Sequence, residues 1–317
     1  MFFSWYKKFS SQPHQPFFTS GILFLILFMS LFVSVYSNFL VLDNSVLTYH
    51  AYTMVFVIFI QFFLGFLFVV FPRFLIQAEI QIQEYMKQFL LYFFASLGIF
   101  LTLIFYSKVT FIFQILMLIA QIMSFKLLYS IHKKSIVKVK EDTKWVLISL
   151  FSGLVFHSLF IISSLNFPYA YELSRFAIDG GFYLFLFMVI FVISQRMIPF
   201  FTTAKAPNYV ANKSVNLLTI IFSLLAFKVI LLAFDNAKLN LLADIPLFIM
   251  ITRELIKWKL PFFKSPAIMW VLFLGLYWIP VAFFMSIIEG LMAFYNPSII
   301  FEKAVIRCVA FDGIDKR

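Results

Sequence analysis

The chain is a succession of apolar runs, each close to the length of a bilayer crossing and separated from the next by a short polar loop. The hydrocarbon core is about 30 Å thick, so a spanning helix needs about 20 mostly apolar residues at about 1.5 Å rise each. Phe17–Leu42, Tyr49–Val70, Phe89–Tyr106, Val109–Ile131 and Trp145–Leu165 reach or approach that length. So do Phe176–Phe201, Val215–Phe234, Leu241–Ile256 and Pro266–Ile288, with Leu291–Phe311 a weaker tenth. In lipid, backbone polar groups must be satisfied within the segment, so these runs predict helices. They are too long for barrel strands, which need only about ten alternating residues. Charged residues make up only 12% of the chain, against about a quarter in a soluble domain. The expected fold is all-α: one polytopic transmembrane helical bundle over residues 1–317, with nine to ten spans and the lipid bilayer as its main partner.

The net charge of +11 is explained by where the cations fall. Lys7 and Lys8 precede the first run, and Arg73 and Lys87 follow the second. Lys133, Lys134, Lys138, Lys140 and Lys144 follow the fourth, Lys205 and Lys213 the sixth, and Arg253, Lys257, Lys259 and Lys264 the eighth. The alternate loops hold little beyond Lys108, Arg175 and Lys238. This bias is the positive-inside pattern and places the N-terminus in the cytoplasm. A tenth span would return Lys303, Arg307, Lys316 and Arg317 to the same side. No nucleic-acid partner is expected.

Cys308 is the only cysteine, which excludes an intramolecular disulfide and any Cys-based zinc or iron–sulfur site within one chain. The first run is too long for a cleaved signal peptide and reads as a retained anchor. Pro72–Lys87 and His132–Lys144 are the longest stretches outside the runs, and the former has the loose apolar spacing of an interfacial helix. The 48 Phe residues are expected chiefly against lipid. With no soluble domain, any function lies within the bundle.

Ionisable side chains deep in a span are costly and mark functional sites by default. His157 lies twelve residues beyond Trp145, about 18 Å along a helix and near mid-bilayer. A neutral imidazole there can ligate haem iron or copper or pass a proton; the alternative is a histidine bonded to a neighbour, with Ser152, Ser158 and Ser163 close by. His50 opens the second run between Tyr49 and Tyr52, and His14 immediately precedes the first. His132, beside Lys133 and Lys134, is expected in a solvated loop. Arg73 sits at the end of the second run, and Arg196 lies one turn inside the end of the sixth, within snorkelling reach. Lys228 is near the middle of the seventh, with Asp235 a possible partner. Asp179 precedes Gly180-Gly181, which permit close helix approach. These charges suit either a relay or structural ion pairs.

The chain has no GxxxxGK[ST], HExxH or CxxCH motif, which argues against nucleotide, zincin chemistry and covalent haem.

Several motifs, in order, resemble the NnrS family of bacterial multi-span membrane proteins. Pro13-His14-Gln15-Pro16-Phe17-Phe18 is similar to the family's PHRPFF element, with Gln15 for Arg. His50-Ala51-Tyr52-Thr53-Met54 is similar to HAHEM, with Tyr52 and Thr53 replacing His and Glu, and Gly65 to Pro72 follow at the family's distance. Ser194-Gln195-Arg196-Met197-Ile198-Pro199-Phe200-Phe201-Thr202 resembles GRxIPFFT. SPAIMWVLFLGLYWIP from Ser265 resembles PLLWVLHLGYLWLP, with Phe273 where His is usual. The resemblance implies a bacterial inner (cytoplasmic) membrane protein linked to nitric oxide metabolism, in denitrification or resistance to nitrosative stress. It also implies haem b and/or copper, carried over onto His14 and His50, with His157 joining them as a candidate mainly through its depth; no reaction follows from it. Members have about twelve spans and a His-bearing, glycine-rich C-terminal portion. This chain ends at Arg317, as expected of a short divergent form or of a reading frame lost near Cys308.

Two other readings stay open. One is a cofactor-free secondary transporter using Asp179, Lys228 and Arg196 as a charge relay. The other is a truncated relative without activity.

Overall fold

The structure, a computed structural model, describes residues 2–42, 45–165, 167–205, 209, 211–261 and 265–295. The tenth run, Leu291–Phe311, falls largely outside them, and Cys308, Lys303, Arg307, Lys316 and Arg317 fall wholly outside. Every regular element among the described residues is helical. The chain divides into two compact units, Met1–Leu186 and Phe187–Arg317.

The first unit opens with α1 (Phe2–Phe9) and α2 (His14–Tyr36). Next comes one long helix in three parts: α3 (Val46–Tyr52), a π-helical stretch over Thr53–Ile58, and α4 (Phe59–Phe74). α5 (Ile82–Phe105), α6 (Thr110–Lys134) and α7 (Glu141–Ser163) follow, then α8 (Ala170–Gly180), which passes into a second π-helical stretch at Gly181–Phe187. α2 packs on α4, α5 on α6, α6 on α7 and α7 on α8. In the second unit α9 (Met188–Lys205), α10 (Leu217–Leu232), α11 (Ala237–Trp258) and α12 (Ala267–Tyr295) form a smaller set in which α11 contacts both α10 and α12.

Among the described residues, seven helices are long and apolar enough to cross a membrane. α10, with 16 residues, is shorter. α11 has the length but carries Lys238, Asp244, Arg253, Glu254 and Lys257, and is not among the seven.

The helices run further than the apolar runs because polar residues suit their ends. Glu84 lies in the first turn of α5, and Glu141 and Asp142 lie in that of α7. His132, Lys133 and Lys134 close α6, each sign complementing the helix dipole. The expected Pro72–Lys87 loop therefore shrinks to residues 75–81, and no separate interfacial helix forms there. His132 is helical, with Nδ1 3.1 Å from Thr143 Oγ1. Arg73 remains exposed at the end of α4, bonded to Glu79 at 3.1 Å.

Phenylalanine fills the interior as well as facing outward. Phe17 is fully buried and meets Phe68, Phe89 and Tyr92 edge-on, whereas Phe94, Phe105 and Phe151 are exposed. The expectation that the Phe residues chiefly face lipid is corrected to this extent: many build the core.

α9 continues past Pro199 to Lys205. Proline has no N–H to offer the Gln195 carbonyl, and the Lys213 ammonium donates to that oxygen instead, and to Gln195 Oε1 at 2.9 Å.

Candidate functional site

His157 lies on α7 in the first unit with no exposed surface. Its expected serine partners are not the ones it uses. Ser152, Ser158 and Ser163 each donate back to a carbonyl of their own helix, at Ile148, Leu154 and Phe160, a common outlet for a serine hydroxyl mid-helix. The imidazole bonds across to other helices. Nε2 is 3.0 Å from the Tyr52 hydroxyl, and Nδ1 is 2.8 Å from Gln121 Oε1 on α6.

The π-helical stretch explains why Gln121 stands there. At its end the Phe59 N–H bonds to the Met54 carbonyl, a five-residue step. Such wide turns break the α ladder and free carbonyls. The Phe56 carbonyl accepts from Gln121 Nε2 at 2.8 Å, and the Val57 carbonyl accepts from Gln61 Nε2 at 2.9 Å. With Gln121 Nε2 committed to a carbonyl, its Oε1 must accept, so His157 Nδ1 carries the proton. Nε2 is then bare and accepts from Tyr52. One glutamine thus fixes the tautomer of a buried imidazole.

Aromatic rings close the remaining sides. Phe56 stacks on the imidazole at 4.9 Å, and Tyr52 stacks on Phe160 at 4.4 Å. Room for Phe56 comes from Gly181: a Cβ there would lie 2.3 Å from its ring. A Cβ at Gly180 would similarly meet Phe156 at 2.1 Å. The close approach expected at Gly180-Gly181 is therefore made by aromatic rings. One turn along α6 from Gln121, the Ser124 hydroxyl donates to Gln88 Oε1 at 2.6 Å and lies 3.2 Å from the Tyr92 hydroxyl. Gln121, Ser124 and Tyr92 line a cavity of about 10 Å³ with Leu64, Leu150 and Phe185, room for about one water-sized molecule.

The other candidates lie apart from His157. His50 is half-buried against Phe32 of α2, ring centroids 4.3 Å apart, and its Nδ1 has no hydrogen-bond partner. Tyr52, two residues on, faces α7, so His50 and His157 lie on different sides of α3. His14 begins α2 against Phe18. It is 18 residues from Phe32 (32 − 14), about 27 Å along the helix. The three imidazoles do not converge on a shared haem or copper. Among the described residues there is also no group of three or more His, Cys, Asp or Glu arranged to hold a metal. Arg196 on α9 and Asp179 on α8 are half-buried. Lys228 is paired with Asp244 of α11, which the sequence reading did not single out; Asp235, the partner weighed there, lies exposed beyond the end of α10.

The family model described as NnrS protein matches residues 8–306 of the 317. The chain belongs to the NnrS family. No curated protein and no solved structure matches it. NnrS membership makes it a membrane protein linked to nitric oxide metabolism in general, in keeping with its long apolar helices. The NnrS motif positions now have structural roles. Tyr52, where the family's HAHEM has its second His, holds the His157 ring, and Pro199 of the GRxIPFFT-like stretch frees the carbonyl that Lys213 fills. Gln121, Gln61 and Asp244 were missed from the sequence. Their signal was available, because a polar residue within an apolar run must find a partner.

Proposed function

We propose that this NnrS-family protein lies in the bacterial cytoplasmic membrane with its N-terminus in the cytoplasm and nine or ten crossings. We further propose that it supports nitric oxide handling or resistance to nitrosative stress at the His157 site. The orientation rests on the cation bias between alternate loops. The site assignment rests on one observation: a fully buried imidazole whose two nitrogens are both held by side chains from other helices.

Nitric oxide is small, uncharged and soluble in lipid, so it reaches a site inside a bundle without an aqueous channel. The cavity beside Gln121 has room for about one molecule of water size, with apolar side chains on most sides and the Gln121, Ser124 and Tyr92 polar groups on the rest. In this reading Gln121 holds His157 in one tautomer and Tyr52 supplies an O–H at Nε2, so the imidazole can accept or return a proton there without rotating. Haem or copper would supply redox chemistry in a relative that binds them. The imidazoles of this chain do not fit a shared group, and no step is assigned to one.

The test is growth under a nitric oxide donor. Cells lacking the protein should be sensitised and the wild-type chain should restore them. His157→Phe and Gln121→Leu, at equal membrane abundance, should fail to restore them. Full restoration by both variants would refute the assignment.

A further inference from the structure

In the second unit, three helices meet at a charged knot that the His157 reading does not use. Lys228 of α10 and Asp244 of α11 form an ion pair with side chains only 2% and 0% exposed. Ser286 of α12 donates to the second carboxylate oxygen at 2.6 Å, and the Phe283 ring lies 5.9 Å from Nζ. Asn240, one turn before Asp244 on α11, has a buried Oδ1 with no hydrogen-bond partner. Pro246 lies inside α11; lacking an N–H group, it leaves the Leu242 carbonyl, between Asn240 and Asp244 in sequence, without its helical donor.

Stability alone is a poor reason to keep such a pair, since buried ion pairs seldom outperform apolar packing, and buried charge in a membrane protein marks function. A carboxylate, a hydroxyl, an amide oxygen and a helix carbonyl freed by proline are the kind of donors that hold monovalent cations in broken-helix sites. We propose that Asp244, Ser286 and Asn240 form a monovalent-cation site, which the Lys228 ammonium occupies here and yields to an inorganic cation such as Na⁺ when it loses its proton. One proton leaves Lys228 for each cation bound, so the charge of the site is unchanged by the exchange. The other ionisable groups on these helices are placed elsewhere or further along. Lys238 lies over Phe294, and Glu254 and Lys257 hold Ser214. Arg253 is exposed on α11. Tyr277 and Glu289 stand on α12, Glu289 one turn beyond Ser286, and Arg196 stands on α9, which packs on α12.

The test is thermal unfolding of the full chain in detergent, in NaCl against choline chloride at equal ionic strength, from pH 6.5 to 8.5. Na⁺ should raise the Tm of the wild type, and its half-saturating concentration should fall about tenfold per pH unit, as one-proton linkage requires. Lys228→Met should be stabilised by Na⁺ with no pH dependence, and Ser286→Ala should bind more weakly. Asp244→Asn should lose the effect. If Na⁺, K⁺ and Li⁺ leave the Tm of wild type and Lys228→Met unmoved at every pH, or if Asp244→Asn responds as the wild type does, the proposal is overturned. Should Asp244→Asn fail to fold, Ser286→Ala decides: an undiminished response there also overturns it.

Discussion

Gln121 on α6 and His157 on α7 form a pair in which one side chain dictates the chemistry of the other. The amide gives its N–H to the Phe56 carbonyl and turns its oxygen to the imidazole Nδ1 at 2.8 Å. Replacing Gln121 with Leu leaves the buried Nδ1–H without its partner and removes the side-chain donor to the Phe56 carbonyl. A buried donor so orphaned costs about 1–3 kcal/mol. Chemical or thermal unfolding in detergent should show a loss of that order; a change below half a kcal/mol would mean that the pair does not form.

Tyr52→Phe removes the donor to Nε2 but keeps the ring stacked on Phe160. The expected cost is about 1–2 kcal/mol, from one unsatisfied acceptor. Activity under nitric oxide stress should fall further than this stability change explains, because the hydroxyl is assigned to the bare nitrogen.

Gly181→Ala tests the packing behind the imidazole. The added methyl would overlap the Phe56 ring, and overpacking of this kind costs about 1–3 kcal/mol. Phe56→Leu in the same chain should recover part of the loss, measured as a double-mutant cycle.

An exposed and a buried ion pair should behave in opposite ways. Arg73–Glu79 is more than half exposed, so Glu79→Ala should change stability by less than about 1 kcal/mol. Lys228→Met in choline chloride leaves Asp244 buried and unpaired, at about 3–5 kcal/mol. Adding Asp244→Leu to it should restore most of that.

Orientation is checked by single cysteines in a Cys308→Ser background. Lys138→Cys should be shielded from an impermeant maleimide in intact cells, and Lys108→Cys should be labelled. The reverse pattern would invert the topology.

Much of this was legible in the sequence. The apolar runs give the helices, and the depth of His157 marks it as buried. Its partners were not legible, because Gln121 is 36 residues away in sequence and Tyr52 is 105 away. The π-helical stretch in which the Phe56 carbonyl accepts from Gln121 leaves no trace in hydrophobic periodicity. Asp235 was closer to Lys228 along the chain than Asp244, but the turn after α10 carries Asp235 out while α11 brings Asp244 back. The helices outrun the apolar runs for a simpler reason: charged residues resemble loop in sequence, yet they suit first and last turns.

The most direct test of the central claim is the tautomer of His157, read by ¹⁵N solid-state NMR of the histidine-labelled protein in bilayers. The chain has four histidines, so comparison with His157→Phe isolates the signal. A protonated Nδ1 and a bare Nε2 are predicted. A proton on Nε2 with a bare Nδ1 would contradict the arrangement of Tyr52, His157 and Gln121 on which the site is built.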